Sequence, residues 1–374
     1  MKGAGWTNAP LFALGFRPFY LLAGIYATVA VPLWAAQYAG WLPGGIAYVH
    51  AHEMLFGYAF AVITGFLFTA VRNWTALPTP AGPTLVAIAA LWVAARLVAP
   101  VSLLVSVLFD AVFAAAVAWG IGRPIALSGN RRNFFFVPLV LAFGAASLAF
   151  QAWPRQALVV GLDVVLFVIA VMAGRVVPMF TNNAIPAAGS RRVKSLEVAA
   201  LASIVLLLAL DALDLDRAAA VVAAVTAALH AARLILWKPW RTLGHPIVWI
   251  LHLSYAWIVV HLGLRALAAL GAAPGSLATH ALTIGAIGGM TLGMMTRTAR
   301  GHTGRALVAS MPEVAAYVLI HAAAAVRVLL PMIAPTLYLW SVLASAALWS
   351  ASFAIFVAAY YRVLTRPRLD GKPG

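Results

Sequence analysis

From Gln156 to Pro178 the chain reads QALVVGLDVVLFVIAVMAGRVVP, with a single acid, Asp163, and a single base, Arg175, near its end. As a helix this stretch is about 34 Å long, enough to cross a hydrocarbon core of roughly 30 Å. It has no polar stripe to turn toward water, so it reads as a membrane span and not as a surface helix.

The same reading extends in both directions. The 374 residues are 64% hydrophobic and 9% charged, with mean hydropathy +0.97. Apolar segments at 16–38, 47–71, 83–100, 102–122, 134–153, 156–178, 195–211, 217–237, 245–268, 277–297, 306–330 and 335–361 give twelve predicted spans. Pro and Gly punctuate the junctions (Pro78, Pro80, Pro186, Pro274-Gly275), and such short connections leave no room for a soluble domain. Residues 1–374 are therefore expected to form one all-α, polytopic transmembrane helical bundle.

Charge orients that bundle. Of 25 Lys and Arg residues, 20 flank one set of alternate junctions, among them Lys2, Arg72, Arg131, Arg191, Lys238, Arg305 and Lys372. The other set has five: Arg96, Arg155, Arg217, Arg265 and Arg327. Basic residues in short loops stay inside, which predicts both termini in the cytoplasm. The formal charge of +16 is then an orientation signal. Its dispersal over many short loops argues against nucleic acid as a partner. The first apolar segment is long enough to remain as a span, so no cleavable signal is expected. With no Cys, disulfides, thiolate ligands and covalently attached haem are excluded.

Polar side chains inside hydrocarbon are costly, so the unusual ones are the first candidates for function. The second span opens His50-Ala51-His52-Glu53-Met54, the sixth ends Gly174-Arg175 through Asn182-Asn183, and the tenth runs from His280 through Met290 and Met294 to Arg297. Two imidazoles on separate helices can supply both axial nitrogens to a haem iron, and neighbouring Gly residues leave space for the ring. His52 and His280 are the candidates for that role, beside the plainer reading in which each bonds a loop carbonyl. On the ninth span His245 and His252 share a face while His261 points away from His252, so the three cannot chelate one ion. His252 is the next haem candidate, or else a helix-packing residue, and His245 reads as a boundary residue. His230 and His321 read as neutral imidazoles bonded to neighbouring helices. For copper, His50 beside Glu53, together with another outer His such as His261, is preferred to the Met290/Met294 pair, whose soft thioethers share a face but equally suit core packing. Asp110 and Asp163 are buried acids suited to relaying protons or pairing with Arg.

Several of these stretches, in order along nearly the whole chain, resemble the NnrS family of bacterial integral-membrane proteins. They are Gly15-Phe16-Arg17-Pro18-Phe19, His50 to Gly57, Gly174 to Ala184, His245 to Tyr255, and His280 to Arg305. The resemblance implies a twelve-helix protein of the bacterial cytoplasmic membrane that contains haem and copper and takes part in the response to nitric oxide and nitrosative stress. The haem would be non-covalent and b-type. The partners expected are the lipid bilayer, a small ligand such as nitric oxide, and an electron donor that the sequence does not name. Protection by redox turnover and protection by binding both stay open. So does a different class, a membrane transporter for haem, copper or a small nitrogen compound, which twelve spans with broken polar helices also suit.

Overall fold

The computed structural model describes residues 7, 9–43 and 47–372. Among these there is no strand, and twelve main helices follow one another: α1 (Phe16–Tyr38), α2 (residues 47–75), α3 (Gly82–Val98), α4 (Leu103–Leu127), α5 (Phe136–Ala149), α6 (Pro154–Ala184), α7 (Lys194–Ala212), α8 (Asp216–Leu236), α9 (Pro246–Ala269), α10 (Gly275–His302), α11 (Met311–Ile333) and α12 (Tyr338–Thr365). Every predicted span has its helix. Eleven helical stretches are long and apolar enough to cross a membrane, α5 reaching that length only with the 3-10 turn at Arg131–Asn133 before it. The exception is α3, at 17 residues about 25 Å long. Lys2, Gly44, Gly45 and Gly374 lie outside the described residues.

Consecutive helices pack side by side, and α12 returns to lie against α1. Arg17, at the start of α1, donates from Nη1 to the carbonyls of Leu364 (2.9 Å) and Arg366 (2.8 Å). The Trp349 indole N–H donates to Ala27 O and the Ser350 hydroxyl to Thr28 O. One turn before Leu364, at the same end of this seam, Tyr360 of α12 donates to Glu313 at the start of α11, which also accepts from Arg300 of α10 (2.5 and 2.6 Å) and from the Ser310 hydroxyl at 2.8 Å.

The polar-rich helices are the inner ones. In α2, α6 and α10 the most apolar stretch is 83%, 72% and 72% buried, against 28% in α7 and α8, so the costly side chains face protein and not lipid. Two of these helices widen into π-helix: α2 at Glu53–Ala59 and α10 at Ala281–Gly288. Each π segment begins on the residue after a histidine, His52 in one and His280 in the other. Such segments re-aim side chains within a helix and recur at functional sites.

Candidate functional site

The two π segments face one cavity of about 500 Å³, within the range of small-molecule and cofactor sites. Met54, Leu55, Tyr58 and Ala59 line it from α2, and Thr283, Ile284 and Ile287 from α10. α1 adds Val31, Trp34 and Tyr38, α6 adds Leu158, Val159 and Leu162, and α12 adds Val342, Ala346 and Trp349. The wall is largely apolar. Its imidazoles and guanidiniums are His50, His280, Arg327 and Arg155, with the Tyr338 hydroxyl on Arg327.

His50 lies flat on the Trp34 indole, ring centroids 4.0 Å apart and planes 17° apart. The Nδ1 of His280 is 2.6 Å from the Ser276 carbonyl oxygen. A carbonyl only accepts, so Nδ1 carries the proton and the neutral ring keeps its Nε2 lone pair, the arrangement that prepares an imidazole to ligate a metal. Arg327 donates from Nη2 to the Tyr338 hydroxyl at 2.8 Å, and its buried Nη1 has no acceptor among the described residues. His50, His280 and Arg327 lie close enough for their charges to interact. Two ring nitrogens, an unpaired guanidinium edge and an apolar wall fit a flat, largely apolar group carrying a metal and a carboxylate. A haem has that chemistry.

His52, two residues from His50, points the other way. It is fully buried, with Nδ1 3.0 Å from Glu53 Oε1 and Nε2 2.9 Å from the Ser147 hydroxyl. Around it the Ser147 hydroxyl donates to Asp110 Oδ2 (3.1 Å), Arg96 Nη2 to Asp110 Oδ1 (2.7 Å), and the Tyr26 hydroxyl to Glu53 Oε2 (2.5 Å), while Arg96 Nε is 2.9 Å from that same oxygen. Every carboxylate oxygen in this cluster has a donor. As a metal ligand His52 would have to surrender one of these bonds. Gly57 is where the cluster meets the π segment. A Cβ there would come within 2.5 Å of Arg96 Nη1, and the Trp92 indole donates to the Gly57 carbonyl at 3.0 Å.

The other sequence candidates are scattered. His252 has Nε2 2.8 Å from the Thr181 hydroxyl, and its buried Nδ1 has no partner among the described residues. His261, with Nδ1 2.8 Å from Ala278 O, lines a smaller, separate pocket, so it does not join His50. Met290 belongs to the apolar core and Met294 packs against it. His230 sits between the Tyr255 hydroxyl (2.5 Å) and Ala200 O (3.3 Å), and His321 accepts from the Trp257 indole at 3.2 Å. His245 is the exposed residue before α9. Among the described residues no three His, Cys, Asp or Glu side chains gather into a metal-holding group, and the expected copper pair of His50 and His261 is not brought together. Asp110 and Asp163 both pair with Arg, through Arg96 and Arg265.

The structure therefore brings together His50 and His280 and adds Trp34, Arg327 and Tyr338, which the reading of the sequence passed over. Arg327 had been counted with the outer-loop charges. Its position inside the eleventh apolar span was the available signal, because a guanidinium there needs a partner or a ligand.

A family model described as NnrS protein matches residues 10–368, nearly the whole chain. No curated protein matches the chain.

Proposed function

This chain belongs to the NnrS family, and from that premise we propose that it is a haem-holding protein of the bacterial cytoplasmic membrane that protects against nitric oxide. Family membership suggests a membrane protein of the nitric oxide response. What supports the haem is the pair His50 and His280, which reach one apolar cavity from separate helices with ring nitrogens free to ligate. When bound, a haem iron supplies a centre that takes up nitric oxide and exchanges one electron.

The residues of the chain have distinct parts in this reading. His50 and His280 would hold the metal. Trp34 fixes the plane of one ring, and the Ser276 carbonyl fixes the tautomer of the other. Arg327, held by Tyr338, would be the partner for a carboxylate of a bound haem. The apolar wall would exclude water from the group. Copper receives no residues. The basic bias supports an orientation with both termini in the cytoplasm and the His50–His280 end of the cavity toward the outer face. A second reading, a transporter of haem or a small nitrogen compound, is favoured by one observation: two interrupted inner helices bound a central cavity, a construction shared with many carriers.

The optical spectrum of detergent-purified protein separates the two. A Soret band at near-stoichiometric occupancy, largely lost in His50→Ala and His280→Ala and kept in His230→Ala, is the expected result. Wild-type haem content in both single variants overturns the ligand pair. No band in wild type, with substrate flux in vesicles, favours the carrier.

A further inference from the structure

The smaller pocket, about 180 Å³, lies beside the cavity and shares Arg155, Val159, Leu162 and Thr279 with it. Two carboxylates from different helices meet there on one guanidinium. Asp163 of α6 is 3.4 Å from Arg265 Nη1, and Asp211 of α7 is bound by Arg265 Nη2. The acids are 1% and 8% exposed and are held together by that one guanidinium. Each leaves its Oδ2 without a donor among the described residues.

The cluster around His52 is the instructive comparison. It too sets two carboxylates, Glu53 and Asp110, on one arginine, Arg96, with a histidine alongside. There the imidazole and two hydroxyls complete the set of donors. In the smaller pocket the histidine is His261, whose Nδ1 is turned to the Ala278 carbonyl and whose buried Nε2 has no partner among the described residues. The hydroxyl in its lining, that of Thr279, donates to the Gly275 carbonyl at 3.3 Å and does not take the place of Tyr26 or Ser147. Two buried carboxylate oxygens without a donor among the described residues, on acids that share one guanidinium and so carry one negative charge in excess, require a donor. The other charged groups lining the pocket are Asp214, Asp216 and Arg155 at its mouth, and they satisfy one another, at 3.4 Å (Arg155–Asp214) and 3.0 Å (Arg155–Asp216). The lining from α10 (Gly275, Ala278, Thr279) has no titratable side chain.

We propose that Asp163 and Asp211 share one proton, so that the pocket is a proton-storage site one side-chain layer from the cavity. The proton comes from water past Asp214 and Asp216 and returns the same way or toward the shared wall at Thr279. No electron moves, and the pair passes between one shared proton and none. The site belongs to the fold itself and stands whether or not the cavity takes haem, so it is tested on haem-free protein.

Infrared spectra of purified, haem-free protein at neutral pH, recorded in H₂O and D₂O, read a protonated carboxyl directly. The expected result is a carboxylic-acid C=O band that shifts in D₂O, is lost in Asp163→Asn and in Asp211→Asn, and persists in Asp370→Asn at the opposite end of the molecule. If the Asn variants do not fold, Asp163→Glu and Asp211→Glu keep the acid and should move the band. A wild-type spectrum without the band overturns the proposal. A band indifferent to every change at Asp163 and Asp211 does the same. Stabilisation by sodium in place of the band would make the occupant a metal cation and overturn it equally.

Discussion

The imidazole of His50 lies face to face with the indole of Trp34, 4.0 Å between ring centroids, in a helical span where only one side of that imidazole is left for anything else. Stacked aromatic pairs are worth about 0.5–1.5 kcal/mol beyond the area they bury. Trp34→Ala should therefore weaken haem retention by about two- to tenfold, and Trp34→Phe should restore most of it. Haem transfer to an apo-globin acceptor measures this, and unchanged transfer rates in Trp34→Ala would count against His50 as a ligand.

Around His52 the expected consequence is stability. Arg96→Met strands the buried charges of Asp110 and Glu53, a change that typically costs about 3–5 kcal/mol, and Asp110→Asn, which leaves Arg96 its contact with Glu53, should cost less. The double variant should lose clearly less than the sum of the two, because it removes both charges of the pair. Thermal unfolding midpoints in detergent would show it. Strict additivity would mean that Arg96 and Asp110 are energetically independent despite their 2.7 Å contact.

Two glycines give an internal control. A Cβ on Gly174 would run into Arg233 and lie 2.6 Å from Glu197 Oε2, prying at a fully buried guanidinium bound to both oxygens of Glu197. Gly174→Ala should destabilise by about 1–3 kcal/mol, the usual cost of overpacking. Gly263, in α9, has no atom within 4 Å of the added carbon. There the same change should be neutral or stabilise by about 0.5–1 kcal/mol. Equal effects at the two positions would contradict the packing described.

Reporter fusions at Gly374 and at Pro43 should report opposite sides of the membrane, the first cytoplasmic, as the 20-to-5 basic bias requires. The same side for both would reject the twelve-crossing map.

The helices were legible because each apolar segment is near the length of a bilayer core and is bounded by Pro, Gly or charge. α6 runs on to Ala184 and α10 to His302, past the predicted 178 and 297, because amides and hydroxyls at their ends bond within the protein: Asn182 closes on Ser190 through both its amide atoms. The π segments were not legible, since they depend on what packs across them, as Trp92 and Arg96 do at Gly57. The same holds for His50 and His52. Spacing puts them on different sides of one helix, but only the neighbouring α3, α4 and α5 decide which side is closed by Arg96, Asp110 and Ser147. Three of the five outer-side arginines, Arg96, Arg155 and Arg265, are tied into ion pairs with acids, a pairing across helices that no local pattern announces.

The bonds from Arg17 to Leu364 and Arg366 have a consequence for biosynthesis. The first helix leaves the ribosome long before the last residues exist, yet its buried guanidinium takes two of its acceptors from the end of the chain. Until α12 is inserted, α1 has no surface on which to bury Gly24, whose added Cβ would lie 3.0 Å from both Phe356 and Val357. Docking of α1 on α12 thus waits for the synthesis of every helix between them, and a chain truncated before Leu364 should be integrated into the membrane, left ajar along the α1–α12 seam, and cleared by quality-control proteolysis.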